Sequence, residues 1–207
     1  MGVKKPQMKI TADPAILLEP ASREAVEAYL APKGIKPEEK LLLVSLRRWR
    51  DMENLRPQVV SAVEEISRKH GLRPVFLAME PKTDTEICQM TAKACGEALC
   101  LTAPGDSGLL VGLIQRADML LSMRLHALIF AAGVGTPLVG LSYDPKVMGF
   151  VRYLGQDLCI PLESLSREGL VAAADTALSG NFDYAAEARR LRALARENEE
   201  TAGTLLR

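Results

Sequence analysis

Apolar residues in this chain fall into short continuous runs separated by amphipathic stretches, and the two kinds of segment alternate about six times. Residues 40–46, Lys-Leu-Leu-Leu-Val-Ser-Leu, read as a strand buried on both faces, because a one-sided strand would alternate apolar with polar. Residues 73–79, 98–101, 119–121, 136–141 and 157–160 read the same way. Between them, the helical spacing of Leu55, Val59, Val60, Val63 and Ile66 predicts a helix over 55–70, closed by His70 in its last turn and Gly71 at C′. Further helices are expected over 84–95, after a loop at 102–107 up to Arg116, up to 132, from Pro145 to 154, and over 162–178. A short helix over 22–30 with Ser22 as its cap precedes the first strand. A long, charged, amphipathic helix from Tyr184 to about Thr204 closes the chain. Strands and helices alternating through short connections require a parallel sheet covered by helices, since parallel strands need right-handed crossovers. The expected fold is a doubly wound, Rossmann-like α/β domain over 21–183. A leading segment over 1–20 has a candidate short strand at 9–12 and a turn at Asp13-Pro14, and the closing helix falls in 184–207.

The most informative stretch is 117–132. Ala117 to Leu121 reads as a short strand and Ser122 as a helix cap. The helix that follows is apolar nearly all round, yet it carries Arg124 and His126 in its first turn. Burying a guanidinium and an imidazole is costly without a partner. A helix N-terminus supplies free N–H groups and a positive dipole, so a phosphate or carboxylate ligand is the simplest partner. A structural ion pair with Asp106 or Asp144 is the alternative.

Polar bursts fall at the carboxyl ends of the predicted strands, where doubly wound sheets bind ligands. Arg47, Arg48 and Trp49 follow the first strand, Glu80 the second, and Thr102 to Ser107 the third. Ser122, Arg124 and His126 follow the fourth, and Ser142, Tyr143, Asp144 and Lys146 the fifth. Lys146 near a helix start is unfavourable without an anion. Arg47 and Arg48 can each be read as a solvated loop arginine, and Trp49 as packing. His70 reads as an ordinary helix C-terminal residue.

Composition narrows the choice. The chain has 207 residues, 48% of them hydrophobic, enough for one sizeable core. Its 26 basic and 26 acidic side chains cancel, which argues against a nucleic-acid-binding surface and makes any positive field local. No apolar run is long enough to span a bilayer, and Met1 to Pro6 lack the apolar core of a signal peptide, so the expectation is a cytoplasmic protein. The four cysteines, Cys88, Cys95, Cys100 and Cys159, form no C-x-x-C pair and read as small hydrophobes rather than metal ligands. No G-x-G-x-x-G, P-loop or G-x-S-x-G motif is present.

Three blocks resemble bacterial polysaccharide pyruvyl transferases: Ser45-Leu46-Arg47-Arg48-Trp49, Ser122-Met123-Arg124-Leu125-His126 with the following Ala127 to Ala131, and Gly140 to Val147 with its Tyr143-Asp144-Pro145-Lys146. The opening Ile10 to Ala15 is similar to the linker entering that family's C-terminal domain. The resemblance implies two Rossmann-like domains facing across a cleft in a GT-B-like arrangement, of which this chain is the C-terminal, donor-binding half. It also implies transfer of the pyruvyl unit of phosphoenolpyruvate to a sugar of a cell-wall polysaccharide precursor, often lipid-linked, as a ketal with release of phosphate. Arg124 and His126 would then hold or protonate the donor, with His126 as general acid toward the enol. One of Arg47 and Arg48 would bind the donor's phosphate or carboxylate, with Ser122, Tyr143 and Lys146 also at the substrate. Phosphoenolpyruvate would serve as donor substrate with no separate cofactor and no metal.

The family's N-terminal domain is an expected partner, as is a saccharide acceptor. A lipid-linked acceptor would bring the protein to the membrane periphery, and the apolar face of the last helix is a candidate for self-association. Two other functions stay open on the sequence. One is a nucleotide-sugar glycosyltransferase half, with residues 102–107 around a base and Arg124 and Lys146 on a diphosphate. The other is a non-catalytic domain that binds an anion or a partner chain.

Overall fold

A computed structural model describes residues 8–50, 52–96 and 98–205. Six strands, β1 (Leu41–Ser45), β2 (Arg73–Ala78), β3 (Leu99–Thr102), β4 (Met119–Ser122), β5 (Leu138–Ser142) and β6 (Cys159–Pro161), form one sheet in the order β3-β2-β1-β4-β5-β6. Every pairing is parallel. The helices are α1 (Arg23–Leu30), α2 (Met52–His70), α3 (Pro81–Ala94), α4 (Ser107–Arg116), α5 (Leu125–Val134), α6 (Pro145–Tyr153), α7 (Arg167–Leu178) and α8 (Tyr184–Leu205). The chain first steps outward from β1 to β2 and β3, then returns to β4 beside β1 and steps the other way. With right-handed crossovers, that reversal places successive helices on opposite faces of the sheet. It also opens a crevice between the carboxyl ends of β1 and β4. All five residues of β1 and all five of β5 are buried, as a strand covered on both faces requires.

Several elements differ from the sequence reading for local reasons. α3 begins at Pro81, whose fixed φ suits a first helical position, so Asp84 lies inside the helix rather than at its start. The segment 162–178 divides into a 3₁₀ turn (Leu162–Ser164) and α7, with Ser166 capping through the Gly169 N–H. No strand forms at 9–12. Instead Asp13 caps a 3₁₀ turn (Pro14–Leu17), and Ile16 is buried.

That leading turn seats against α5 and α8. Gly133 of α5 makes room for it, since a Cβ there would stand 3.1 Å from the Ile16 carbonyl oxygen. Arg192 donates to the Ile16 carbonyl at 3.0 Å and Asn198 to the Ala12 carbonyl at 2.9 Å. The first seven residues of the segment lie outside the described ones. α8 buries Ala188, Leu191 and Ala195 and packs on α5 and the leading turn. Its apolar face, expected to be free for self-association, is therefore covered within the chain. Burial pushes the Cys88 and Cys95 thiols up to about 12, as for thiols that serve as core hydrophobes.

Candidate functional site

At the crevice lies a cavity of about 360 Å³, walled by the carboxyl ends of four strands. Arg47 comes from beyond β1, Met79 and Glu80 from beyond β2, Arg124 to His126 from beyond β4, and Tyr143 to Val147 from beyond β5. Strand ends meet here because β1 and β4 are adjacent in the sheet, Ser45 pairing with Ser122, although β2 and β3 lie between them in the chain.

β4 and β5 end alike. Ser122 Oγ accepts the Arg124 N–H at 2.9 Å and donates to the Arg124 carbonyl at 3.2 Å, and Ser142 Oγ donates to the Asp144 carbonyl at 2.8 Å. Each serine folds its strand back into a helix whose first turn faces the cavity. Ser122 is consequently buried and engaged with backbone: it shapes the turn instead of lining the cavity, and Arg124, not Ser122, occupies the N-cap of α5. α5 has no side-chain cap, so its first N–H groups are not consumed by one. In α6, the Asp144 carboxylate takes the Lys146 N–H at 2.8 Å.

Arg124 has a protein partner that neither Asp106 nor Asp144 provides. Its Nε donates to Asp84 at 2.9 Å, and its Nη2 bonds both Asp84 and Thr83. Asp84 is fully buried and also accepts the Glu80 N–H at 2.9 Å and the Thr83 hydroxyl at 3.0 Å. A buried carboxylate so paired fixes the guanidinium plane. Among the described residues Arg124 Nη1 makes no hydrogen bond, which leaves that edge of the fork to the cavity.

Arg47 is held from the far side. Its guanidinium donates to Tyr143 Oη at 2.5 Å and lies 5.1 Å from the Tyr143 ring centroid. Trp49 packs against the same ring at 4.6 Å. Arg48 turns elsewhere, to exposed Glu86 at 3.1 Å, and lines a neighbouring groove. Of the two arginines, Arg47 reaches the cavity. His126 is exposed, with its ring 6.3 Å from Phe130, and Lys146 is exposed beside it on the cavity wall. Neither Arg47 nor Lys146 has an ion-pair partner among the described residues. Glu80 contributes a carboxylate at the rim.

Arg47, Arg124, His126, Tyr143 and Lys146 thus converge on one cavity, whereas Arg48 and Ser122 do not line it. None of residues 102–107 lines it either, because β3 is the edge strand; Asp106 there caps α4 through the Leu109 N–H at 2.7 Å. The loop considered for a base beside Arg124 and Lys146 thus lies outside this cavity. Sequence reasoning missed Asp84 and Thr83. A signal for Asp84 existed: it falls on the same helical stripe as Ile87, Cys88, Thr91 and Ala92, all buried. A carboxylate on a core stripe requires a buried cationic partner. Fixed guanidinium groups, an ammonium and open helix N–H groups suit an anion with more than one charged group, and the imidazole can move a proton beside it.

Residues 1–145 match the family model described as polysaccharide pyruvyl transferase. No curated protein matches the chain. Among solved structures it is similar to a glycosyl transferase family 9 protein from Veillonella parvula, with TM-score 0.58, 15% identity, and coverage of 78% of this chain and 53% of that one. It is also similar to the UDP-GlcNAc 2-epimerases of Neisseria meningitidis (TM-score 0.60, 14% identity, 88% and 49% covered) and Methanocaldococcus jannaschii (TM-score 0.59, 14% identity, 91% and 54% covered). The chain spans about half the length of these structures. At such identities the likeness is one of fold: a Rossmann-like half of a GT-B arrangement.

Proposed function

The chain belongs to the polysaccharide pyruvyl transferase family, and from that premise we propose that its cavity binds phosphoenolpyruvate for transfer of the pyruvyl group to a saccharide as a ketal. The observation that carries this reading is the convergence of Arg47, Arg124, His126 and Lys146 on one cavity at the sheet's switch point. Phosphoenolpyruvate has two anionic groups separated by one carbon. The free edge of Arg124 suits the carboxylate. Arg47, Lys146 and the uncapped first turn of α5 suit the phosphate.

His126 is the proton donor in this reading. Protonation at the methylene carbon leaves a cationic centre at C2, which one sugar hydroxyl attacks. A second hydroxyl of the same sugar then closes the ketal as the C2–O–phosphate bond breaks and phosphate departs. Buried Asp84 keeps Arg124 oriented throughout, without itself touching the donor.

A second, N-terminal half supplies the opposite wall of the cleft in the complete enzyme, and the acceptor belongs to a cell-wall polysaccharide precursor. The donor is a cytoplasmic metabolite, so the reaction lies on that side of the membrane, at its periphery when the acceptor is lipid-linked. No described helix is long and apolar enough to cross a membrane.

The test is phosphate release from phosphoenolpyruvate, dependent on a saccharide acceptor, by this chain joined to an N-terminal half of the family. His126→Gln should lower turnover by about 10²- to 10⁴-fold, the usual contribution of a general acid, while leaving donor affinity near its original value. Undiminished turnover in His126→Gln would contradict the assignment.

A further inference from the structure

A second concavity, of about 510 Å³, adjoins the anion cavity across the loop that follows β1. Its floor is apolar: Met52 and Ile87 are buried, and Met90 of α3 is 41% exposed at its edge. Trp49 forms the wall it shares with the anion cavity, since the Trp49 ring packs at 4.6 Å on Tyr143, which lines that cavity. The neighbours Arg47 and Arg48 divide between the two, one on each side. Nothing in the donor chemistry uses this groove.

We propose that the groove is an acceptor subsite for a neutral pyranose presenting two neighbouring hydroxyls; this rests on the pyruvyl-transfer reading above. Three features select that occupant. The groove's charged residues, Arg48, Arg50, Glu53 and Glu86, cancel, so a second anion would meet two carboxylates while a polyol would find both donors and acceptors. An indole wall beside Met and Ile offers the apolar surface on which the C–H face of a sugar ring stacks. A polypeptide partner, by contrast, would have to desolvate four charges in what would be the core of its interface, where charged residues are depleted. Exposed Arg50 stands 5.6 Å from the Trp49 ring centroid, loose enough to swing aside.

Adjacency to the donor makes chemical sense of the position. Ketal formation makes two C–O bonds from one sugar to C2 of phosphoenolpyruvate, breaks the C2–O–phosphate bond and adds one proton at C3. Of the two hydroxyl protons released, the balance assigns one to the new methyl group, by way of His126, and the other to the departing phosphate. A sugar stacked on Trp49 sits beside the wall that the groove shares with the donor cavity.

Trp49 is the only tryptophan in the chain, so its fluorescence reports the groove directly. The intact chain is titrated with methyl β-glucopyranoside and methyl N-acetyl-β-glucosaminide, following Trp49 emission and saturation-transfer NMR of the sugar. A saturable emission change is expected. Exposed-edge variants Met90→Glu and Glu86→Gln should weaken saccharide binding several-fold, and Trp49→Leu, read by NMR, about tenfold. Calorimetric phosphoenolpyruvate binding on the same samples reports the donor reading separately and should be unchanged in the two edge variants. No saturable emission change with donor binding intact, or equal saccharide affinity in Trp49→Leu and Met90→Glu, would overturn the acceptor subsite alone.

Discussion

Arg124 shows how one side chain serves the fold and the site together. Two of its nitrogens are bound to Asp84 and Thr83 while the residue also lines the cavity, so removing it has two separable consequences. Arg124→Ala leaves the Asp84 carboxylate buried without its cation, which should cost about 3 kcal/mol of stability by urea unfolding. Adding Asp84→Asn to that variant should recover part of the loss, because the two residues form one unit. Lys146 is the contrasting case, exposed and without a described ion-pair partner. Lys146→Gln should leave the unfolding midpoint within experimental error while weakening phosphoenolpyruvate binding about tenfold and lowering its salt dependence. The cationic residues of the site were legible in the sequence because each interrupts an apolar pattern at a strand end. Arg47 and Arg48 could not be told apart there. Only the packing of Trp49 on Tyr143 and the pairing of Arg48 with Glu86 decide which guanidinium reaches the cavity.

Elements meet through a few close contacts that periodicity does not reveal. α1 lies so near α4 that a Cβ at Gly112 would stand 2.7 Å from Val26 Cγ2, and Val26 is itself buried. Gly112→Val should therefore destabilise the chain by about 1–3 kcal/mol, the usual cost of overpacking, visible as a lower urea midpoint. α2 and α7 are tied at the Asp175 carboxylate, which accepts from Lys69 at 2.6 Å and His70 at 2.8 Å. His70, read from sequence as a helix C-terminal residue only, thus has a specific partner. The hydrogen bond from Lys69, and then that from His70, hold the Asp175 carboxyl below the usual carboxylate range. The folded chain therefore gives up this proton more readily than the unfolded chain. The resulting stabilisation is present above pH about 4, the ordinary aspartate value, and disappears as pH falls through the lowered folded value. Unfolding midpoints measured down the acid limb should fall less steeply in Asp175→Asn than in the parent chain. The apolar residues of the leading segment are too few to show a period. Ile16 is nonetheless buried, between α5 and α8, through a gap that Gly133 leaves.

At the scale of the whole molecule, the alternation of apolar runs with amphipathic stretches was enough to predict the parallel sheet and its helical layers. The reversal of strand order at β1 and β4 then brings chain-distant arginines to one crevice. Sequence could place the polar bursts at strand ends but not order the strands. The edge position of β3, which separates residues 102–107 from Arg124 and Lys146, became visible only in the sheet. The chain belongs to the pyruvyl transferase family, and the fold gathers its cationic side chains at one cavity; the proposed anionic donor rests on the two together. The most direct measurement is calorimetric titration of the chain with phosphoenolpyruvate, with a UDP-sugar in parallel and Arg47→Ala/Lys146→Ala as control. The account predicts saturable phosphoenolpyruvate binding that the double variant loses. Tight UDP-sugar binding with no phosphoenolpyruvate binding, or phosphoenolpyruvate binding that the double variant retains, would contradict it.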